Sequence, residues 1–281
     1  MRQRESGIVL INVLVVIALG STIILLMFNT QRDMLDRAQD AAVLARAEAI
    51  AFGAEDSVRL ALLADMTNAP ETDHMAEPWA LVQQSETTLA TGRFSVTVSD
   101  AQARFDLNGV GTTGLMQQQT LLRVLELAGL PETLAPTLRR AVSQNGPFET
   151  LEEINALDAQ TRAALAPHVS LLPQPGELNL NTAAPEIMVA VLDNPGAARQ
   201  LVARRHRAGF LTRGDLTDAG LFSSNGAGLT SDVFDASIFV EIDGTELVLV
   251  SRLTRISRPG ATEVIVTGRR FGAAREQADL P

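Results

Sequence analysis

From residue 8 to residue 28 the chain reads IVLINVLVVIALGSTIILLMF, an apolar run without one Asp, Glu, Lys or Arg. As a helix it spans ~30 Å, the thickness of a bilayer's hydrocarbon core. The helical pattern does not stop there. From Asn29 to Met66 alanine recurs, proline is absent and Gly53 is the only glycine. The spacing predicts one helix of roughly 60 residues, ~90 Å long, apolar in its first half and amphipathic in its second. Thr67 to Thr91 is polar, with two prolines and the only tryptophan, and reads as a linker holding one short helix. Phe94, Val96 and Val98 then alternate with Ser95, Thr97 and Ser99 in the period of a half-buried strand, and Phe105 to Asn108 reads as a second, short one. From about Met116 to Leu221 the period becomes helical, in short pieces such as MQQQTLLRVLELAG, PETLAPTLRRAV, TLEEINAL, AAPEIMVAVL and AARQLVARRHR. Strands return at 237–242, 246–257 and 262–270, joined by a hairpin-like Asp243-Gly244 and by Arg258-Pro-Gly-Ala. This order predicts an α+β fold: one antiparallel sheet whose chain detours through a helical insert.

The leader before the apolar run is MRQRESG: short, basic and ending in glycine. Such a leader abutting an uncharged stem resembles the start of type IV pilin-like proteins, which implies cleavage between Gly7 and Ile8. Two other readings stay open, an uncleaved anchor and an ordinary secretory signal. The best signal site, Ala18-Leu19-Gly20, lies inside the apolar run, and cutting there leaves Ile23 to Phe28 as a greasy new terminus. Arg2 and Arg4 precede the span, whereas Arg32 and Arg37 after it are matched by Asp33, Asp36 and Asp40. That bias puts the N-terminus in the cytoplasm and the bulk of the chain in a periplasm, anchored in the inner membrane by a single pass. With no cysteine, a lipoprotein is excluded. The division expected is leader 1–7, transmembrane segment 8–28, extracytoplasmic stem 29–66, sheet region 67–111 and 231–272, helical insert 112–230 and tail 273–281.

The insert carries a weak internal repeat. Gly146-Pro-Phe-Glu-Thr-Leu-Glu-Glu-Ile154 matches Ala208-Gly-Phe-Leu-Thr-Arg-Gly-Asp-Leu216 in its aromatic, Thr, acid and aliphatic positions, and Asp106-Leu-Asn108 echoes Asn179-Leu-Asn181. The Thr and the acid three residues later have capping-box spacing. Two helical units follow, about 106–157 and 179–221. Both are read as helix-hairpin-helix or SAM-like units, and the one at 179–221 resembles the modules that hold DNA phosphates on a glycine-bracketed hairpin. Here the hairpin position, Leu192-Asp-Asn-Pro-Gly-Ala197, has one glycine and an added carboxylate. Arg199, Arg204, Arg205 and Arg207 form a local basic cluster, but the chain's net charge is −10, a poor basis for binding nucleic acid. Gly109-Val-Gly-Thr-Thr-Gly114 matches a dinucleotide loop, yet helix follows where that fold requires a parallel strand.

No catalytic constellation emerges. His74, His168 and His206 are dispersed, no nucleophile elbow occurs, and a cysteine nucleophile is impossible. The chain therefore reads as a non-enzyme that requires no cofactor. Asp215, Asp218, Asp232 and Asp235 thicken where helices return to sheet, a set of hard oxygens compatible with calcium, although no EF-hand loop is present.

Taken in order along the chain, these elements resemble the K-type minor pseudopilins of the type II secretion system (GspK family). The resemblance rests on Ser6-Gly7-Ile8 opening the stem, then Asp100-Ala-Gln-Ala-Arg104-Phe-Asp-Leu-Asn108. It continues with Asn179-Leu-Asn-Thr-Ala183, Ser231-Asp-Val-Phe234 and the Arg269-Arg270 end. It implies a pilin-like fold with a helical insert, processing by a prepilin peptidase, and a hetero-oligomeric tip complex with other minor pseudopilins. It also implies calcium in the extracytoplasmic domain, without assigning ligands. Most pilin-like subunits have Glu at the fifth mature position; here that position is Asn12, and K-type members also lack the Glu. Ala38, Ala42, Ala45, Ala49 and Phe52 share one helical stripe, in which partner contact is expected up to about Leu44 and packing on the protein's own sheet beyond it. Two alternatives remain: a minor pilin of a type IV pilus or competence system, and a membrane-anchored DNA receptor.

Overall fold

The computed structural model describes residues 5–89, 92–111, 114–221, 226–258 and 261–272, with backbone alone at 5–9, 85–86 and 89. Arg2, Arg4 and the tail 273–281 therefore lie outside the described residues. Helix α1 (Glu5–Asn68) is one unbroken run of 64 residues, as its proline-free sequence predicts. Its most apolar stretch has a mean hydropathy of 2.7 and none of it is buried. Within that stretch the Thr22 hydroxyl donates to the Ala18 carbonyl at 2.8 Å, so this polar group needs no water. Gly53 faces open space, where it weakens the helix without breaking it.

After the short helix α2 (Pro78–Leu81) come β1 (Gln84–Leu89) and β2 (Gly92–Asp100). The linker reading of 67–91 was thus incomplete. QSETTL has no apolar alternation because β1 is an edge strand held by backbone pairing to β2, with an irregular register between Gln84 and Thr87. The sheet is completed by β7 (Val233–Ile242), β8 (Thr245–Arg258) and β9 (Ala261–Gly272), in the order β1-β2-β7-β8-β9. All its pairs are antiparallel. Asp243 and Gly244 both have positive φ, 48° and 80°, the backbone that a two-residue hairpin turn of matching twist requires. On β7 the even residues Phe234, Ala236, Ile238, Val240 and Ile242 are buried, and they meet Ala47, Ala51, Val58 and Leu62 of α1.

Between β2 and β7 the chain builds a second core. Its elements are β3 (Phe105–Asp106), α3 (Leu115–Leu127), α4 (Leu134–Asn145), α5 (Ala159–Leu165), β4 (Val169–Ser170), β5 (Leu178–Asn179), α6 (Pro185–Val191), α7 (Pro195–Ala208), α8 (Arg213–Asp218) and β6 (Ala227–Gly228). Phe105, Leu107 and Val110 belong to this core, so the insert starts before residue 112. The repeat is built in atomic detail. Asp106 Oδ1 accepts from the Asn108 N–H at 3.0 Å, and Asn179 Oδ1 accepts from the Asn181 N–H at 2.9 Å. The second Asn then clamps a distant backbone. Asn108 accepts from the Phe148 N–H at 3.0 Å and donates to its carbonyl at 2.9 Å. Asn181 does the same with Leu211, at 2.6 and 3.2 Å. Each unit also closes with a two-residue parallel ladder, β3 on β4 and β5 on β6.

The two copies differ at the predicted cap. Thr212 and Asp215 form the capping box at the start of α8. In the first copy Thr150 makes no side-chain cap, and TLEEINAL shrinks to a 3-10 turn, Leu151–Glu153. Ile154 and Leu157 are both buried just beyond, which takes the chain inward before a helix can form.

Candidate functional site

The motifs that lie far apart in sequence converge where insert, sheet and stem meet. Asp100 ends β2 and is 4% exposed. Its Oδ2 accepts from Thr182 Oγ1 and Ser231 Oγ, each at 2.6 Å, and from Asn179 Nδ2 at 2.9 Å. Its Oδ1 accepts from the Gln102 N–H at 2.7 Å. Asn179 Nδ2 also donates to the Asp73 carbonyl at 3.0 Å, which ties the linker into the same joint. Gln102 completes it, donating to the Glu177 carbonyl at 2.7 Å and accepting from the Asp232 N–H at 2.6 Å. Burial pushes the Asp100 carboxyl above its ordinary range, and these hydrogen bonds pull it back only in part.

Beside this lies a buried guanidinium. Arg255 donates to Asp65 at 2.8 Å and to Asp73 at 2.6 Å, and its guanidinium stands 4.6 Å from the ring centre of Phe234. Phe234 in turn meets Trp79 edge-on at 4.9 Å, and Trp79 donates to Glu77 at 2.9 Å. Burial, helped by the charge of Glu77 and opposed by Arg255, pushes the Asp65 carboxyl up to about 7. Higher on the stem, the buried Glu55 carboxylate accepts from Ser251 and, at 2.6 and 2.8 Å, from Arg269. Burial alone would raise the pKa of Glu55, but these bonds hold it below the ordinary value.

Asp65, Asp73 and Glu77 bring carboxylate oxygens within 4.8 Å of one another, close enough to suggest a metal centre. The donor set argues otherwise. Asp73 Oδ2 accepts from the Ser231 N–H, and Glu77 is taken by His74, Thr72 and Trp79. Of these oxygens only Asp65 Oδ1 has no partner among the described residues, whereas Ca²⁺ takes six to eight oxygens. The cation of this cluster is Arg255. Nor do the four aspartates singled out in the sequence gather: Asp215 pairs with Arg204, and Asp235 pairs with Arg252.

The sequence reading missed Asp65, Asp73, Glu77 and Arg255. A signal existed for two of them. Arg255 occupies the buried register of β8 after Leu249, Ser251 and Leu253, and Asp65 follows Val58 and Leu62 on the packed face of α1. A charge at a buried register implies a partner.

The helix-hairpin-helix decoy is explained by its own contacts. Asn194 Oδ1 accepts from the N–H groups of Gly196 and Ala197 at 3.1 and 3.0 Å, the amides a phosphate would use. Arg205 donates inward to the carbonyls of Leu180 and Ala183, at 2.6 and 2.7 Å.

On the stem, Gly7 and Ile8 lie in the first turns of α1, and Asn12 follows in the exposed span. Packing on the sheet begins at Val43 and Ala47, close to the boundary expected at Leu44. Ala38 and Ala42 are exposed, and so are Ala45 and Ala49, which corrects the expectation that this stripe packs on the sheet beyond Leu44: the sheet takes the opposite side of the helix, at Ala47, Ala51, Val58 and Leu62. Phe52 is 37% exposed and meets the Phe271 ring edge-on at 6.1 Å, so it belongs partly to the protein's own sheet.

The family model described as Type II secretion system (T2SS), protein K, matches residues 178–236, the stretch that holds Asn179, Thr182, Ser231 and Phe234 of the joint. The Type II secretion system protein K of Pseudomonas aeruginosa is 27% identical over 77% of each chain. The protein of the same name from Klebsiella pneumoniae is 34% identical over 41% of this chain and 35% of its own. The chain is similar in sequence to the type II secretion system K family. A chain of the crystal structure of the GspK-GspI-GspJ complex from the enterotoxigenic Escherichia coli Type 2 Secretion System shares the fold. It has a TM-score of 0.66 and 19% identity, over 85% of this chain and all of the other. The joint gives the scattered motifs one purpose: they fasten the helical insert to the sheet.

Proposed function

We propose that this chain is a non-enzymatic minor pseudopilin that initiates or caps the tip of a secretion pseudopilus together with other minor pseudopilins. The observation that carries the reading is the division of the stem. Residues 10–42 are almost wholly exposed, apolar as far as Phe28 and mixed with charges and alanines beyond it, while the stem packs on the sheet from Val43 onward. A helix left that bare in its own fold is built to be covered by lipid and by other stems. The insert adds bulk beside the sheet, which suits the tip, where no subunit must stack above it.

In this reading the span 8–28 lies in the inner membrane with the N-terminus cytoplasmic, and a prepilin peptidase cuts between Gly7 and Ile8. Asn12 in place of the usual Glu suits a subunit with no neighbour above it. The relative's complex with GspI and GspJ supports minor pseudopilins as the partner class. Nucleic acid has no part in it. No cofactor is required, and a calcium ion in the extracytoplasmic domain would need ligands beyond the Asp65–Asp73–Glu77 oxygens. Mass spectrometry of the membrane-bound protein, made with the peptidase present, tests the processing step. The expected mature chain begins at Ile8; an intact leader contradicts it.

A further inference from the structure

On the side of the sheet away from the stem, the first helical unit overhangs the outer faces of β2, β7 and β8 and leaves a cleft of about 390 Å³. Part of its polar lining is not used by the fold. Ser170, on β4, is only 5% exposed, yet its hydroxyl has no hydrogen-bond partner among the described residues, and neither has the hydroxyl of Ser237 on β7. Arg104 lines the same cleft and makes no hydrogen bond or ion pair among the described residues. Asp235, an acid of the same lining, is held by Arg252 through two bonds, at 2.8 and 3.0 Å. Burial lowers the pKa of Arg104, the mark of a desolvated cation. Donors withdrawn from water and left unmet are unfavourable, and native folds rarely keep them without a use.

We propose that this cleft binds a carboxylate presented by another polypeptide, as an acidic side chain or a chain end. The guanidinium fork of Arg104 matches a carboxylate's two oxygens, and the Ser170 and Ser237 hydroxyls add donors around it. Across the whole lining the charges balance, Arg104, Arg252 and Arg270 against Glu149, Glu152 and Asp235, so a single negative charge fits better than a dianion such as phosphate. The proposal does not depend on the assembly reading, because it concerns binding by the isolated chain.

The test uses the full chain in detergent, labelled with ¹⁵N at arginine, titrated to ~10 mM with four probes, which covers the weak end of specific recognition. The probes are Ac-Ala-Glu-Ala-NH₂, Ac-Ala-Ala-Ala-OH, Ac-Ala-Gln-Ala-NH₂ and inorganic phosphate. We expect the Arg104 resonance to move saturably with the first, the second or both, which separates side chain from chain end. The glutamine peptide and phosphate should bind at least tenfold more weakly. R104Q should abolish the response of the remaining signals while melting like the parent, and S170A with S237A should weaken it severalfold. The proposal is overturned by an unmoved Arg104 resonance, by equal binding of the glutamine peptide or phosphate, or by unchanged affinity in both variants.

Discussion

Arg255 is the residue on which the joint depends most. It sits 8% exposed between Asp65 and Asp73, with Glu77 and Asp100 also buried nearby. Removing one partner of such a pair leaves buried charge uncompensated, which costs about 3–5 kcal/mol. Arg255→Ala should therefore lower the stability of the sheet and insert by that order in urea unfolding. A loss within the ±0.5 kcal/mol of an ordinary surface change would contradict the assignment. The same residues set a pH dependence. Asp65 is raised from 3.8 to about 7 and Asp106 from 3.8 to about 6, both chiefly by burial. Between those values the folded chain holds protons that the unfolded chain has released, so stability falls as pH rises through the window. Glu55 works in the opposite sense, since its pKa is lowered: its contribution is present above 4.5 and lost as pH falls through its folded value. Stability should thus be greater at pH 5.5 than at pH 8, and Asp65→Asn should flatten the slope. A melting temperature that rises steadily toward pH 8 would count against raised acids in the joint.

Among the elements, legibility followed the range of the interactions. Helix α1, the β7–β8 hairpin and the alternation of β2 were readable because period, capping and turn chemistry act within a few residues. The repeat was readable for the same reason, since Asp106-Leu-Asn108 and Asn179-Leu-Asn181 each form a local Asx turn. β1 was missed because its order comes from backbone pairing. The joint was missed because many of its bonds join residues far apart in sequence, 79 positions between Asn179 and Asp100 and 190 between Arg255 and Asp65. In the sequence its residues stand out only as motif positions, with nothing to mark a shared location. The register of β2 on β7 also shows where the insert can be removed. Asp100 pairs with Phe234, so the two strands already form a hairpin whose loop is the whole insert. Replacing 102–230 by Asn-Gly restores a short connection and keeps Ser231 for Asp73 and Asp100. The expected product has a cooperatively melting stem and sheet and no secretion. Full secretion by that strain would remove the insert from the function, and failure to melt cooperatively would show that the sheet needs it.

At the scale of the whole molecule, the proposed function requires the unpacked half of the stem to be an assembly surface and the packed half not. The chain contains no cysteine, so one introduced thiol reports one position. Cysteine at Ala38 or Ala42 lies on the exposed face, whereas cysteine at Ala51 lies against the sheet. The most direct measurement is disulfide crosslinking in membranes from each of these variants to partner pseudopilins carrying a stem cysteine, read by mass spectrometry of the linked peptides. Crosslinks are expected from positions 38 and 42 and none from 51, with Ala38→Glu abolishing assembly while the sheet and insert melt as before. Equal crosslinking from all three positions, or a fully assembling Ala38→Glu protein, would contradict it.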